Sequence, residues 1–297
     1  MLRAVPLAEP TLPGRIHLRR FAGPQAYVDR LAPMRVAHLT DLHVGRVTPH
    51  RVQLAAVEIT NRQRPDLVVI TGDFVCHSLL FLEQLEAVIR GFEAPVIGVL
   101  GNHDHWSGAA EVARVLRRAG ALVLENQNTT VNFGKGPLQI VGLDDAYTGH
   151  ADRAKAVRGL SPHLPTLGLS HIAEEADGLY PHNVPLVLSG HTHAGQITLA
   201  RLHEIAFGRL TGHRYIHGLY GSRTGGPPGG AVYVGAGIGA SVVPVRLGDR
   251  GMREIAMFEL GVAPGSFDEH HEEQTPLKGR KPSSWARARR AKAVNKA

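Results

Sequence analysis

The stretch from Ala94 to Trp106 reads A-P-V-I-G-V-L-G-N-H-D-H-W. Its apolar half is long enough for a buried strand and too short for a helix. It stops at Gly101, and Asn102, His103 and Asp104 follow in a row. Open α/β sheets place their ligands beyond the carboxyl ends of strands, so these polar side chains stand where chemistry would occur. Four further stretches repeat the pattern of apolar strand, small residue, then metal-type donors: Met34 to His43 delivers Asp41 and His43, Pro65 to Asp73 delivers Asp73, Pro165 to His171 delivers His171, and Val184 to His193 delivers His191 and His193. Mixed imidazole and carboxylate donors suit Zn, Mn, Fe or Ni better than the all-oxygen sites of Mg or Ca.

Donors this far apart in sequence must be positioned by strands, and the expectation is that five strands lie side by side in one sheet. Between them, Arg51 to Gln63, Ser78 to Phe92 and Gly108 to Ala119 carry apolar residues at helical spacing. Strand, helix, strand repeated three times predicts a largely parallel sheet with right-handed crossovers. After residue 193 short strands broken by glycine, Gln196 to Leu199, Ala231 to Val234, Val242 to Arg246 and Glu254 to Leu260, are expected to form a second sheet. The Gly- and Pro-rich stretch Gly221 to Gly230 excludes a regular element. Residues 1–33 read as an irregular lead with one short edge strand near Ile16 to Leu18, 34–262 as one domain, and 263–297 as a basic, disordered tail.

The motifs D-L-H at 41–43, G-D at 72–73, G-N-H-D at 101–104, the lone His171 and G-H-T-H at 190–193 resemble, in order, the five motifs of the calcineurin-like metallophosphoesterases, over about Arg35 to Leu260. The extended G-H-T-H-A-G-Q-I, with G-L-Y at 218–220 and Y-V-G-A-G-I-G-A-S-V-V-P-V-R-L at 233–247, is similar to the bacterial phosphodiesterase branch that includes a UDP-2,3-diacylglucosamine pyrophosphatase. The chain departs from the family pattern in two places. His171-Ile172-Ala173 stands where H-N-P is usual, and Ala194-Gly195-Gln196-Ile197 where G-G-Q-I is usual; neither change removes a donor.

The resemblance implies a four-layer αββα sandwich, two mixed β-sheets flanked by helices. It implies two divalent or transition-metal ions (Mn, Fe, Zn, Ni or Co), the first held by Asp41, His43 and His193, the second by Asn102, His171 and His191. Asp73 is the natural bridge, one carboxylate oxygen to each ion. His103 then stands free of metal as general acid or charge stabiliser, with Asp104 orienting its ring and favouring its protonated form. His213 and His217 fall in the segment that faces substrate in the family. The reaction implied is hydrolysis of a phosphodiester or pyrophosphate bond by metal-activated water.

Most of the 18 histidines are bystanders on this reading. His77 and His150 are among them, and His105 reads as an exposed loop residue. Cys76 reads as a small buried hydrophobe, and Asp144 and Asp145 as loop or capping residues after the strand Leu138 to Leu143. The single cysteine excludes an internal disulfide. No signal peptide or run of roughly 20 apolar residues is present, so the expected place is the cytoplasm, at most peripheral to the inner face of the membrane.

The net charge of +7 has a local origin. From Lys278 onward there are eight Lys or Arg and no acid, leaving 25 basic against 26 acidic residues in positions 1–277. A near-neutral body without an aromatic-basic platform argues against a nucleic-acid-binding protein, and the complete donor set argues against a non-catalytic scaffold. The tail, with Trp285, offers weak contact with anionic lipid. The expected partner is a phosphate-ester or diphosphate substrate; no protein partner is evident.

Overall fold

The computed structural model describes residues 16–195, 211–225, 229–240, 251–270 and 273–277. Among these residues the apolar runs become twelve strands: β1 Ile16–Ala22, β2 Met34–Leu39, β3 Leu67–Thr71, β4 Val96–Val99, β5 Leu122–Val123, β6 Gln127–Asn132, β7 Pro137–Gly142, β8 Thr166–Leu169, β9 Leu186–Ser189, β10 Gly218–Gly221, β11 Ala231–Val234 and β12 Arg253–Leu260. They form two six-stranded sheets, ordered β1-β12-β2-β3-β4-β5 and β10-β11-β9-β8-β7-β6. β2, β3 and β4 run parallel, as do β7, β8 and β9; β12 on β2, β6 on β7 and β10 on β11 are antiparallel, so both sheets are mixed.

Alternation along the strands sets the layers, because successive side chains leave opposite faces of a sheet. Val36, Leu67 and Val69 enter the core between the sheets, where Ile140, Leu186 and Leu188 meet them. Their neighbours Ala37, Val68 and Ile70 point the other way. There they meet α1 (His50–Arg62), α2 (Leu82–Arg90) and α4 (Ala109–Arg118), which follows the short α3 (Asn102–Ser107). On the far side of the second sheet Val141, Val187 and Val232 turn outward to Ala176 and Leu179. Three apolar cores thus separate four layers, as expected.

Three sequence expectations are corrected. The donors do not come from one sheet: β2, β3 and β4 lie in the first, β8 and β9 in the second. β12 belongs to the first sheet, between β1 and β2, because its alternate residues Ala256, Phe258 and Leu260 fill the inter-sheet core from that side. The folded body is also wider than 34–262. β1 runs seven residues, and Tyr27 and Leu31 are buried in the inter-sheet core. Beyond 262, Glu269 and Glu273 pair with the buried Arg223, at 2.6 and 3.0 Å, and Leu277 N donates to Arg214 O at 2.9 Å. The strands expected at Gln196 to Leu199 and Val242 to Arg246, and the tail from 278, lie outside the described residues.

One buried carboxylate ties the sheets together. Glu254 on β12 accepts from Arg19 Nε of β1 (2.7 Å), His217 Nε2 (2.9 Å), Tyr233 Oη of β11 (2.6 Å) and Ala236 N (3.1 Å). Burial alone would raise its pKa, but His217, then Arg19 and Tyr233, hold it well below its ordinary value of 4.5. Glu254→Ala is expected to cost about 3–5 kcal/mol of unfolding free energy, since it leaves buried donors and a buried guanidinium uncompensated. Because the folded carboxyl titrates low, this stabilisation is present above its ordinary pKa and is lost as pH falls below it. Denaturant titrations of wild type and variant at neutral and acid pH should show the gap narrowing in acid; a neutral-pH gap under about 1 kcal/mol would refute the role.

Candidate metal centre

Each donor sits just beyond the carboxyl end of a strand: Asp41 and His43 after β2, Asp73 after β3, Asn102 after β4, His171 after β8, His191 and His193 after β9. All seven converge, and all but His191 are buried. One group brings Asp41, His43, Asp73 and His193 together; a second brings Asp73, His171 and His191 together. In the first, His43 Nε2 lies 2.9 Å from His193 Nε2, and His193 Nε2 lies 3.2 Å from Asp41 Oδ1. In the second, Asn102 Oδ1 lies 3.1 Å from His171 Nε2 and 2.9 Å from His191 Nδ1. Donor atoms about 3 Å apart have the spacing of adjacent ligands on one ion at about 2.1 Å.

Asp73 stands between the groups. Its Oδ2 is 3.5 Å from His43 Nε2 and 3.4 Å from His171 Nε2. Its Oδ1 accepts the backbone N–H of His103 at 2.8 Å. The single oxygen Oδ2 therefore faces both groups, in place of the expected one oxygen to each.

The surrounding hydrogen bonds leave donor atoms free where an ion would need them. His171 Nδ1–H donates to Thr71 O at 2.8 Å, which fixes the tautomer and leaves the Nε2 lone pair inward. Asp41 Oδ2 accepts from Thr40 Oγ1 (2.7 Å) and His191 N (3.1 Å). Asp41 Oδ1, by contrast, is buried with no hydrogen-bond partner. A buried carboxylate oxygen left over in a pocket of imidazoles fits a cation.

The electrostatics agree. Burial would lower the His171 imidazole, but Asp73 and then Asp41 and Asp145 push it up to about 10. Burial, with neighbouring imidazoles, holds His43 and His191 well below the usual range, while burial raises Asp41. Asp73 is held well below the carboxylate range by His171, His103 and His43 against the opposing effect of burial. Carboxylates that raise the His171 imidazole against the effect of burial make a field that also attracts cations.

His103 lies in neither group, with Nε2 3.9 Å from Asp73 Oδ2. Burial is the main cause of its lowered pKa, with the His77 charge adding to it against Asp73. The ring-orienting role expected of Asp104 is corrected: its Oδ2 accepts from Gly101 N (2.9 Å) and its Oδ1 from Val75 N (3.1 Å), so the carboxylate caps the start of α3 and pins the loop after β3. Burial and the Asp73 charge push Asp104 up to about 7 against those two amides. His217 is also corrected. It is fully buried on Glu254, away from any substrate rim. His213 is brought to the centre: its ring meets that of His191 edge-on at 5.3 Å, and Nδ1 lies 3.1 Å from Glu174 Oε1.

Other neighbours were not anticipated. The His77 ring lies 4.2 Å from His103 and Trp106 4.9 Å from it, while Tyr147 lies 4.9 Å from His191. Trp106 was legible in principle, since positions 103 and 106 share one face of a helix. His105 is no exposed loop residue: its side chain is 7% exposed, donates toward Asp144 Oδ1 at 2.7 Å and stacks on His150 at 4.0 Å. Cys76 is buried beside His43 and His103, and burial pushes its thiol up to about 11.

A sequence model described as calcineurin-like phosphoesterase matches residues 34–195, and the chain belongs to that family. It is 29% identical over 242 residues to phosphodiesterase YaeI of Escherichia coli K12, across 79% of this chain and 84% of that protein. It is 30% identical over 236 residues to the uncharacterized metallophosphoesterase YkuE of Bacillus subtilis 168, across 76% of this chain and 78% of that protein. Among solved structures it resembles TT1561 of Thermus thermophilus, with a TM-score of 0.49 and 14% identity over 70% of this chain and 91% of that one. The protein is a metal-dependent phosphoester hydrolase. No helix among the described residues is long and apolar enough to cross a membrane.

The Asp104 geometry makes a prediction that needs no metal. Asp104→Ala removes the acceptor of two buried amides and is expected to lower the stability of the metal-free protein by about 1–3 kcal/mol. Thermal denaturation in chelator checks it; unchanged stability would return Asp104 to a role on the His103 ring.

Proposed function

We propose that the chain hydrolyses phosphodiesters with two cations, one held by Asp41, His43 and His193, the other by Asn102, His171 and His191, and both by Asp73. The observation that supports this most is Asp73 Oδ2, which faces a donor imidazole on each side at 3.5 and 3.4 Å. Bound cations would supply charge neutralisation at the phosphate and a lowered pKa for attacking water. Four imidazoles, two carboxylates and one amide oxygen suit Mn, Fe, Zn, Ni or Co. With only two carboxylates the loaded centre stays cationic, which favours an anionic ester.

The chain's own residues do the rest. His103, outside both donor sets, presents Nε2 to the centre and gives a proton to the leaving oxygen; its burial makes it a strong acid once the anionic substrate charges it. Asp73 Oδ1 and the His103 N–H fix that ring's backbone relative to the donors. His213, oriented by Glu174, lines the rim beside His191 and contacts the ester's non-reacting oxygens.

A narrower substrate, a lipid-linked diphosphate of the UDP-2,3-diacylglucosamine kind, is favoured by the eight Lys or Arg that follow Leu277. Near an anionic surface each contributes about 1 kcal/mol, screened by salt. That would place the enzyme at the inner face of the membrane. Removing residues 278–297 should then leave turnover of a soluble diester intact and abolish salt-sensitive sedimentation with anionic vesicles.

The test of the central reading is made on metal-reconstituted protein with bis-p-nitrophenyl phosphate. Elemental analysis should find about two ions per chain, and Asp73→Asn should lose both and all activity. His103→Gln should keep both ions while kcat falls by roughly 10²-fold, less for a leaving group that needs no proton. Loss of metal in His103→Gln, or equal loss on good and poor leaving groups, would refute the proton-donor role.

A further inference from the structure

β7 and β8 run side by side, Gly142 against Leu169, and Leu143 N donates to Leu169 O at 2.9 Å. The residues that leave β7 next, Asp144 and Asp145, therefore come off the sheet beside Ser170 and His171. This brings to the flank of the second donor group a carboxylate that belongs to neither group.

Asp145 is fully buried, at 0% exposure. Its Oδ2 accepts from Thr148 N and Thr148 Oγ1, both at 2.7 Å, which closes the turn. That local duty occupies one oxygen. Oδ1 is buried with no hydrogen-bond partner, a rare state for a buried acceptor. Burial raises its pKa above the usual carboxylate value, His171 and the Thr148 hydrogen bonds oppose that rise, and Asp73 adds to it, so the charges that reach the carboxyl are those of the centre.

The loop holding Asp145 is tied on several sides. Asn126 Oδ1 accepts from Asp144 N (3.0 Å) and Asp152 N (2.8 Å), and Asn126 Nδ2 donates to His150 O (2.8 Å). Asp144 holds His105, and Tyr147 rests on His191.

We propose that Asp145 is a positioning residue for the second donor group: its unpaired carboxylate oxygen adds negative charge to a group whose one carboxylate, Asp73, is shared, and so strengthens its hold on a divalent cation. The need follows from the donor inventory. The first group has Asp41 as well as its share of Asp73, whereas Asn102, His171 and His191 are all neutral as ligands. Partner groups outside the ligand set change metal affinity by about 10–100-fold.

This inference rests on the two-cation reading, and one titration separates their failures. Mn²⁺ is titrated calorimetrically into the metal-free, full-length protein and its variants, whose folding is followed by circular dichroism. Asp145→Asn keeps an acceptor oxygen for Thr148 and removes the charge; Asp145→Ser is a second charge-removing variant that keeps a hydroxyl acceptor. Thr148→Val keeps the charge and removes the hydroxyl, with its contacts to Asp145 and His150. Wild type is expected to bind in two steps. In the Asp145 variants one step weakens at least about 10-fold, the other is unchanged, and the weakened step is the one that His191→Ala abolishes. Thr148→Val should match wild type. Two unchanged steps in a folded Asp145 variant overturn the inference and leave the two-cation reading standing. Equal weakening in Thr148→Val, or weakening of the step that His191→Ala spares, overturns it as well. A single step in wild type overturns both.

Discussion

The centre depends on packing seven donor side chains, from loops of two different sheets, so closely that their lone pairs face one another. His43 Nε2 and His193 Nε2 stand 2.9 Å apart, and Asn102 Oδ1 lies within 3.1 Å of two imidazoles. The backbone carries much of the cost. Asp41, His43, Asp73, His191 and His193 all have positive φ, between 43° and 72°, a region that costs a non-glycine residue about 1–3 kcal/mol each. The surrounding hydrogen bonds hold them there: Asp41 N to Gly72 O at 3.0 Å, His43 N to Asp73 O at 2.9 Å, Gly190 N to His171 O at 3.1 Å. These loops continue the strand ladder past the sheet edge, so the strain rests on ordered backbone.

Close approach also explains the motif glycines. A Cβ on Gly101 would run into the carboxylate and amide of Asp73, and one on Gly190 into Thr40 and the carboxylate of Asp41. The glycines before Asn102 and His191 therefore belong to the packing of another strand's carboxylate. A motif such as G-N-H-D thus carries information about Asp73, 28 positions before its glycine. This is why the donors were legible from sequence as a set although their contacts were not.

What else was legible follows the same division between local and distant information. Strands read correctly where both faces were buried and the run was apolar, as in Leu67–Thr71 and Leu186–Ser189. Gln127–Asn132 was missed because its strand is polar with no fully buried face, and Leu122–Val123 because two residues carry no period. The sheet to which a strand belongs is not written in its own residues: Arg253–Leu260 has the alternation of either sheet, and only its neighbours β1 and β2 decide. Asp104 shows the limit at the site itself. Adjacency to His103 suggested a partner, but a side chain at the third position of a short helix points back to the N-terminal amides.

Histidine paired with a carboxylate recurs through the molecule, and depth and neighbours decide what each pair does. His217 with Glu254 is sealed between the sheets together with Arg19 and Tyr233, so the pair serves cohesion. His213 with Glu174 has the same chemistry four residues earlier, yet its ring reaches His191, and so it bears on the centre. His105 with Asp144 fastens the loop that carries Asp145 to the start of α3. His171 differs in kind: its Nδ1 is committed to a backbone carbonyl, and the carboxylates around it face Nε2, which therefore meets a field that binds either a proton or a cation. The fold thus gives the two nitrogens of His171 separate tasks, the arrangement that a metal-binding histidine requires.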